Sequence, residues 1–298
     1  MIQIIRHRLD GDIDMVQRSI DRLKFFEAAA LEMSPDGYYV AYSGGKDSQV
    51  IAELCIMSGV KFELVNNHTT VDPPELVYHV RREFKRYRAM GIKCTVSMPK
   101  KTMWKLIQDK GVPTRLTRFC CSDLKESGGR NRFTVTGVRW AESAARKSRS
   151  GMFQIPFLRT DDGGYIFTND NDEAQLMMRT CPTQSKKVLN PIIDWEDEEI
   201  WEFIHKRGIE YCPLYDEGFT RLGCIGCPMA GDGRKREFVR WPTYKRAYIR
   251  AFGKMLEKRK QKGRSVPWET AEDVFAWWME ENKSPKQIDG QENMFDDF

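Results

Sequence analysis

The sequence predicts an α/β fold: a doubly wound, mainly parallel sheet followed by a helical C-terminal extension. Three observations carry that expectation. Short apolar runs alternate with amphipathic stretches between residues 38 and 138, the rhythm of strands and covering helices. One apolar run, Tyr38-Tyr39-Val40-Ala41-Tyr42, ends in a glycine loop that opens a helix. Beyond Cys227 the apolar runs stop, and helical spacing rich in Lys and Arg takes over.

Taken in order, residues 10 to 33 read as one helix, because Ile13, Val16, Ile20, Leu23 and Phe26 recur at helical spacing. Ser34-Pro35-Asp36-Gly37 is a turn. The first strand follows, then the loop Ser43-Gly44-Gly45-Lys46-Asp47-Ser48, then a helix to about Ser58-Gly59. Lys61 to Asn66 is the second strand; a helix opened by Pro73-Pro74 runs to Met90 and stops at Gly91. Cys94 to Met98 is a strand, Thr102 to Gly111 a short helix, and Phe133 to Val138 a further strand. Residues 150 to 180 are polar and rich in Gly, Asp and Asn, as expected of an insertion forming a hairpin or flexible lid. Asn190 to Trp195 leads into a helix over Glu196 to Arg207, a basic helical stretch reaches about Gly263, and a last helix covers Trp268 to Glu281. The expected organisation is an N-terminal helical segment (1–37), a core domain (38–230, with 150–180 inserted), a basic helical extension (231–284) and a loose acidic tail (285–298).

The 298 residues are 41% hydrophobic and 31% charged, a soluble composition, and no run of about 18 apolar residues exists to span a membrane. The N-terminus, Met1 to Arg8, is too short and too charged for a signal peptide. A cytoplasmic location is therefore expected, and the eight cysteines read as ligands, reactive thiols or core residues rather than disulfides. Net charge is only +5, but 13 Lys/Arg face 4 Asp/Glu from Lys100 to Arg149, and 13 face 3 from Met229 to Arg264. Such regions suit a nucleotide or a nucleic acid, although solvated helix faces would look the same.

The glycine loop is the chemically loaded stretch. Two glycines let the backbone approach an anion, the helix that follows aims amides at it, and its dipole favours negative charge. Lys46 adds a cation, Ser43 and Ser48 add hydroxyl donors, and Asp47 is a carboxylate beside them. A plain turn with Asp47 or Ser48 as N-cap is the ordinary alternative. The spacing is not that of a Walker A loop, which needs four residues between its first glycine and Gly-Lys.

Four further cysteines come in two pairs, Cys120-Cys121 and Cys224-Ile225-Gly226-Cys227. Two pairs can complete a four-thiolate site for zinc or an iron–sulfur cluster. Adjacent cysteines are an awkward zinc chelate but fit neighbouring irons of a cubane. The ordinary alternative is one redox CxxC plus buried thiols. Cys55 and Cys94 fall at apolar positions and read as core.

The loop resembles the SGGxDS PP-loop of the adenine-nucleotide alpha-hydrolase superfamily. Phe119-Cys120-Cys121-Ser122-Asp123-Leu124-Lys125 is similar to the CCxxRK segment of the iron–sulfur branch of the phosphoadenylyl-sulfate (PAPS) reductase-like family, with Leu124 in place of Arg. Gly137-Val138-Arg139-Trp140-Ala141-Glu142-Ser143-Ala144-Ala145-Arg146 resembles its GxRxxES-x-x-R stretch, Asn190 to Trp201 its NPIxxW…(V/I)W pattern, and Pro213-Leu214-Tyr215-Asp216 its PLYD. Asn67 to Glu75 is a looser match to its DTxxxFPE loop.

The resemblance implies an enzyme that binds ATP or a PAPS-like nucleotide through Ser43, Gly44, Gly45, Lys46, Asp47, Ser48, Gly137, Arg139, Glu142 and Ser143. Lys46, Asp47, Arg139 and Arg146 are the candidate catalytic residues. Cys120, Cys121, Cys224 and Cys227 are the ligands it implies for a [4Fe-4S] cluster, with zinc the alternative. Mg2+ would accompany the phosphates, with Glu142 either binding it or pairing with Arg146. Sulfonucleotide reductases of the family carry a C-terminal cysteine in a Glu-Cys-Gly-(Leu/Ile)-His segment, and this sequence has no cysteine after Cys227. The resemblance therefore leans to relatives that split ATP at the alpha-phosphate and support sulfur transfer, as the DNA phosphorothioation proteins do; the alternatives are a sulfonucleotide reductase that uses an external thiol and a nucleic-acid-associated binding protein whose nucleotide site is regulatory. A sulfur donor or acceptor protein and DNA or tRNA are the partners it implies; no membrane is expected. Gln291-x-x-Met294-Phe295 resembles the QxxLF peptide that docks on the sliding clamp.

Overall fold

A computed structural model describes residues 2–126, 128–143, 147, 150–155, 165–167 and 186–280. Arg146, Cys181 and the clamp-like tail motif lie outside them. The chain divides into two compact units, one of Met1–Asn67, Pro74–Ser97 and Ser127–Leu222, the other of His68–Pro73, Met98–Glu126 and Gly223–Phe298.

The first unit opens with a small antiparallel pair, β1 (Ile5–Arg6) and β2 (Ile13–Asp14). The expected helix over 10–33 is in fact two, Met15–Phe25 and Glu27–Met33. It starts late because Asp14 caps it, accepting from the amides of Val16 at 3.0 Å and Gln17 at 3.3 Å. It breaks at Phe26, where the Tyr38 hydroxyl donates to the Leu23 carbonyl at 2.6 Å and Phe26 packs edge-on to Phe153.

The main sheet comprises β3 (Tyr38–Ala41), β4 (Phe62–Asn67), β5 (Lys93–Ser97), β6 (Phe133–Val135), β7 (Phe153–Ile155), β8 (Tyr165–Phe167) and β9 (Lys187–Leu189). Their order is β5-β4-β3-β6-β9-β7-β8. The first five are parallel in register, and β7 and β8 add an antiparallel edge. The chain steps from β3 out to β4 and β5, then returns to place β6 on the other flank of β3. That reversal is a topological switch point, and ligands of open parallel sheets bind beyond the carboxyl ends of strands there. Within residues 150–180 the chain forms β7 and β8; 156–164 and 168–180 are outside the described set. Strand β9 was not expected: three residues starting with a lysine carry too little pattern to read.

The core of this unit holds Val40, Ile51, Leu54, Leu64, Phe84, Phe133 and Ile193. Cys55 and Cys94 are buried in it, as their positions suggested. The Asn190–Trp195 stretch is a brace. Asn190 is fully buried, donating to the Gly151 carbonyl at 2.7 Å, and the Trp195 indole donates to Ser19 Oγ at 3.0 Å. Arg22 pairs with Asp194 at 2.8 Å. This brace leads into helix Asp197–Arg207 and holds its first turn in place.

The second unit is helical, with Met103–Lys110, Gly233–Arg240, Pro242–Gln261 and Ala271–Glu280. Its core is aromatic: Tyr248 and Trp278 lie 4.8 Å apart, joined by Phe238, Phe252 and Phe275. Indole and phenol groups there find partners, Trp278 donating to the Pro113 carbonyl and Tyr248 to the Ile225 carbonyl. Among the described residues no helix is long and apolar enough to cross a membrane.

Candidate active site

Helix Lys46–Ser58 begins inside the glycine loop, directly beyond β3. Gly44 has φ +81°, a conformation L side chains avoid, and a Cβ there would lie 2.5 Å from Val80 Cγ2. Only glycine fits. The two serines tie the loop shut. Ser48 Oγ accepts from the Gly44 amide at 3.1 Å and donates to the Gly45 carbonyl at 2.8 Å, and Ser43 Oγ accepts from the Gly45 amide at 3.3 Å. Both hydroxyls thus shape the loop.

Lys46 and Arg139 carry the positive charge. Lys46 is 5% exposed and Arg139 1%. Arg139 follows β6, whose strand ends at Val135 rather than Val138 as expected. Thr136 instead bonds the Leu189 carbonyl, and Gly137 comes so close that a Cβ would sit 3.0 Å from Asp47 Cβ. That approach delivers Arg139 to the loop. Its Nε donates to Asp47 Oδ1 at 2.7 Å, its Nη2 to Asp197 Oδ1 and its Nη1 to the Trp195 carbonyl at 3.2 Å. Lys46 Nζ donates to the same Asp197 Oδ1 at 3.1 Å and lies 3.9 Å from Asp47 Oδ2. Two buried cations therefore converge on one carboxylate oxygen beside a helix N-terminus. Burial works against the Arg139 charge, but Asp47 and Asp197 outweigh it and raise its pKa. Burial likewise opposes ionisation of Asp197, and Arg139 and Lys46 overcome it, so that its pKa is lowered.

Of the other expected nucleotide residues, Glu142 accepts from the Arg139 amide at 3.1 Å and so closes its own turn, while Ser143 is exposed. Trp140 is half-buried against the core and donates to the Ser150 carbonyl at 2.7 Å. Two participants escaped the sequence reading. Asp197 opens an acidic first turn, which reads only as a helix start. Tyr215, inside the Pro213–Tyr215 turn, accepts the Lys46 amide at 2.9 Å through its hydroxyl.

The four paired cysteines all fall in the second unit, and Cys120, Cys121, Cys224 and Cys227 are free thiols. Cys120 and Cys121 lie on a helical turn, Phe119–Cys121, that runs into a π-helical turn, Ser122–Glu126. The Cys120 thiol is pushed up by its hydrogen bond to Cys121, then by burial, then by the charges of Cys121, Cys224 and Cys227. Lys125 is held in its charged form chiefly by Cys224, whose sulfur also donates to Thr69 Oγ1 at 3.4 Å. The thiols thus lie within electrical reach of one another. Nonetheless, among the described residues no three His, Cys, Asp or Glu side chains are close enough to hold a metal ion as they stand. Four thiols and a lysine in mutual electrostatic contact have the donor chemistry of a cluster site.

The model of the phosphoadenosine phosphosulfate reductase domain matches residues 37–230. The chain belongs to that family. An uncharacterised protein of Methanocaldococcus jannaschii is 26% identical over 290 residues, which are 92% of this chain but 61% of the relative, so the chain spans less than two thirds of that protein's length. A probable FAD synthase of Schizosaccharomyces pombe is 26% identical, over 86% of this chain and 82% of its own. Among solved structures, a U34-tRNA thiolase from Methanococcus maripaludis with its [4Fe-4S] cluster aligns with a TM-score of 0.45 at 12% identity, over 89% of this chain and 86% of that one. An adenosine 5'-phosphosulfate reductase of Bacillus thuringiensis is 24% identical, over 67% of this chain and 77% of its own.

Proposed function

We propose that this PAPS reductase-family protein is an enzyme that binds ATP at the loop Ser43–Ser48 and cleaves it at the alpha-phosphate, releasing pyrophosphate to support sulfur transfer. The observation that carries the reading is the convergence of buried Lys46 and Arg139 on one oxygen beside the start of helix Lys46–Ser58. A carboxylate oxygen stands where a phosphate oxygen would be held.

In this reading an acceptor group attacks the alpha-phosphorus, its bond to the bridging oxygen breaks, and pyrophosphate leaves with the electron pair. Lys46 and Arg139, already desolvated and fixed, stabilise charge growing on the transferring and leaving oxygens. Arg139 is oriented by Asp47 and the Trp195 carbonyl, so little reorganisation is needed as charge develops. The loop amides and the helix dipole hold the phosphates, and Asp47, on the loop itself, is the carboxylate that would meet a nucleotide-borne Mg2+. Arg146 is a further proposed clamp. Synthesis of FAD, the activity named for the Schizosaccharomyces relative, is likewise an attack on the alpha-phosphate of ATP.

Cys120, Cys121, Cys224 and Cys227 are the residues that would hold a [4Fe-4S] cluster. A bound cluster would supply an iron site able to carry a sulfur atom. The proposed domain of 38–230 contains both residue sets, with 231–284 as a basic extension suited to a nucleic-acid acceptor. The test is product analysis: anaerobically purified protein with ATP labelled in the alpha-phosphate should yield pyrophosphate and an adenylate. Sulfite release from adenylyl sulfate or PAPS with a reduced thiol would instead indicate a sulfonucleotide reductase.

A further inference from the structure

We propose that Asp197 is an internal anion that competes with the nucleotide for Lys46 and Arg139, so that it sets how tightly phosphates are held and how readily pyrophosphate leaves. The inference rests on reading the loop as a phosphate site, and it goes further in naming a residue that tunes that site.

The asymmetry in burial is the first argument. Lys46 and Arg139 side chains are 7% and 1% exposed, whereas that of Asp197 is 56% exposed. The cations are locked into the protein; the carboxylate sits at its surface. When a phosphate oxygen arrives, Asp197 can rotate to water at small cost while its two partners cannot follow.

The second argument is the sharing of one atom. Asp197 Oδ1 accepts from both Lys46 Nζ and Arg139 Nη2, the donor pair a bridging phosphate oxygen would take. Asp47 plays a different part. It is 23% exposed and binds Arg139 through Nε, a contact separate from the Nη2 that Asp197 takes. Thus Asp47 positions Arg139, and Asp197 contests the phosphate's place on it. The lowered pKa of Asp197 keeps this competitor charged at neutral pH.

The third argument is local sequence. Asp197, Glu198 and Glu199 form an acidic first turn, which the helix dipole favours. Of the three, only Asp197 reaches Lys46 and Arg139 in the described contacts. Neutralising Glu198 would remove the same charge from the turn without freeing either cation.

The test is calorimetric binding of inorganic pyrophosphate, and of ATP, to the full-length protein. Asp197→Asn should bind pyrophosphate about 10-fold more tightly than wild type, the scale of one charge-assisted contact no longer contested. Asp197→Glu and Glu198→Gln should both stay within about twofold of wild type. Thermal melts of each variant confirm that the fold is retained. Weaker or unchanged binding by a folded Asp197→Asn protein would overturn the proposal, because it would make Asp197 a support for the cations. Equal tightening by Glu198→Gln would overturn it too, leaving only a general charge effect. If the pattern appears in a protein that never turns ATP over, Asp197 keeps its role and only the enzymatic reading falls.

Discussion

The glycine loop of the first unit and the cysteine set of the second are both ligand sites in prospect, yet their side chains are partnered by different chemistry. Around Ser43–Ser48 every charged side chain already has a partner: Lys46 and Arg139 share Asp197, and Asp47 holds the other edge of Arg139. Around the cysteines four thiols and Lys125 influence one another, and among the described residues no ion pair of the kind that ties the loop together joins one thiol to another. The difference follows from the chemistry of the groups. Cations and carboxylates satisfy one another, so a phosphate site can be built from protein alone and held ready. Thiols at neutral pH are weak donors and weak acceptors, and a shared metal would be what binds all four together.

The largest expected effect breaks the charge-paired side of this comparison. Arg139→Ala removes a buried cation and leaves Asp47 without its partner, so turnover should fall by about 100-fold or more. Stability should drop by about 3 kcal/mol, read as a lower denaturation midpoint. Lys46→Ala should cost comparable activity with less stability, because Lys46 has fewer partners. Equal, small losses in both would mean that the network is structural decoration.

On the cysteine side, Cys120→Ser or Cys224→Ser should abolish iron retention and the brown absorbance of anaerobically purified protein. Iron analysis together with the visible spectrum decides the point. A colourless wild type holding one zinc would replace the cluster with zinc, whereas no metal at all would leave the thiols to other work.

A third expectation uses pH. His79 is 2% exposed and lies 3.7 Å, at its Cδ2, from where a Cβ on Gly44 would be. Burial first, then Arg82 and Arg86, push its pKa down from 6.5 to about 4. Between these values the unfolded chain binds the proton that the folded chain refuses. Stability owed to neutral His79 is therefore complete above about pH 6.5 and lost as pH falls towards 4, by up to about 3 kcal/mol. Chemical denaturation at pH 7 and pH 5 should show that loss in wild type, and His79→Leu should flatten it. Gly44→Ala, forced to φ +81° against Val80, should cost about 2 kcal/mol at either pH.

How legible each part was depends on the reach of its determinants. The loop, its preceding strand and its following helix are local, and six consecutive residues announce them. Arg139 was legible through its stretch, but its partners were not: Asp197 pairs with Lys46 across 151 positions, and no local pattern encodes that meeting. Tyr215 stands inside a recognised segment, yet its bond to the Lys46 amide depends on the fold. The helix break at Phe26 needed Tyr38 to take the Leu23 carbonyl, again a tertiary event. Likewise, the second unit is assembled from three separated segments, so its boundaries could not be read along the chain.

The smallest expected effect is Tyr215→Phe, which removes one acceptor from the Lys46 amide and should change ATP affinity by no more than about threefold. The central claim concerns which bond of ATP is broken, and position-specific labelling of ATP tests it most directly. With alpha-labelled ATP, wild-type protein and a sulfur acceptor, the label should appear in an adenylate or AMP, with one pyrophosphate released per turnover, and Lys46→Ala should release it about 100-fold more slowly. Accumulation of ADP and inorganic phosphate, with pyrophosphate absent, would contradict the account.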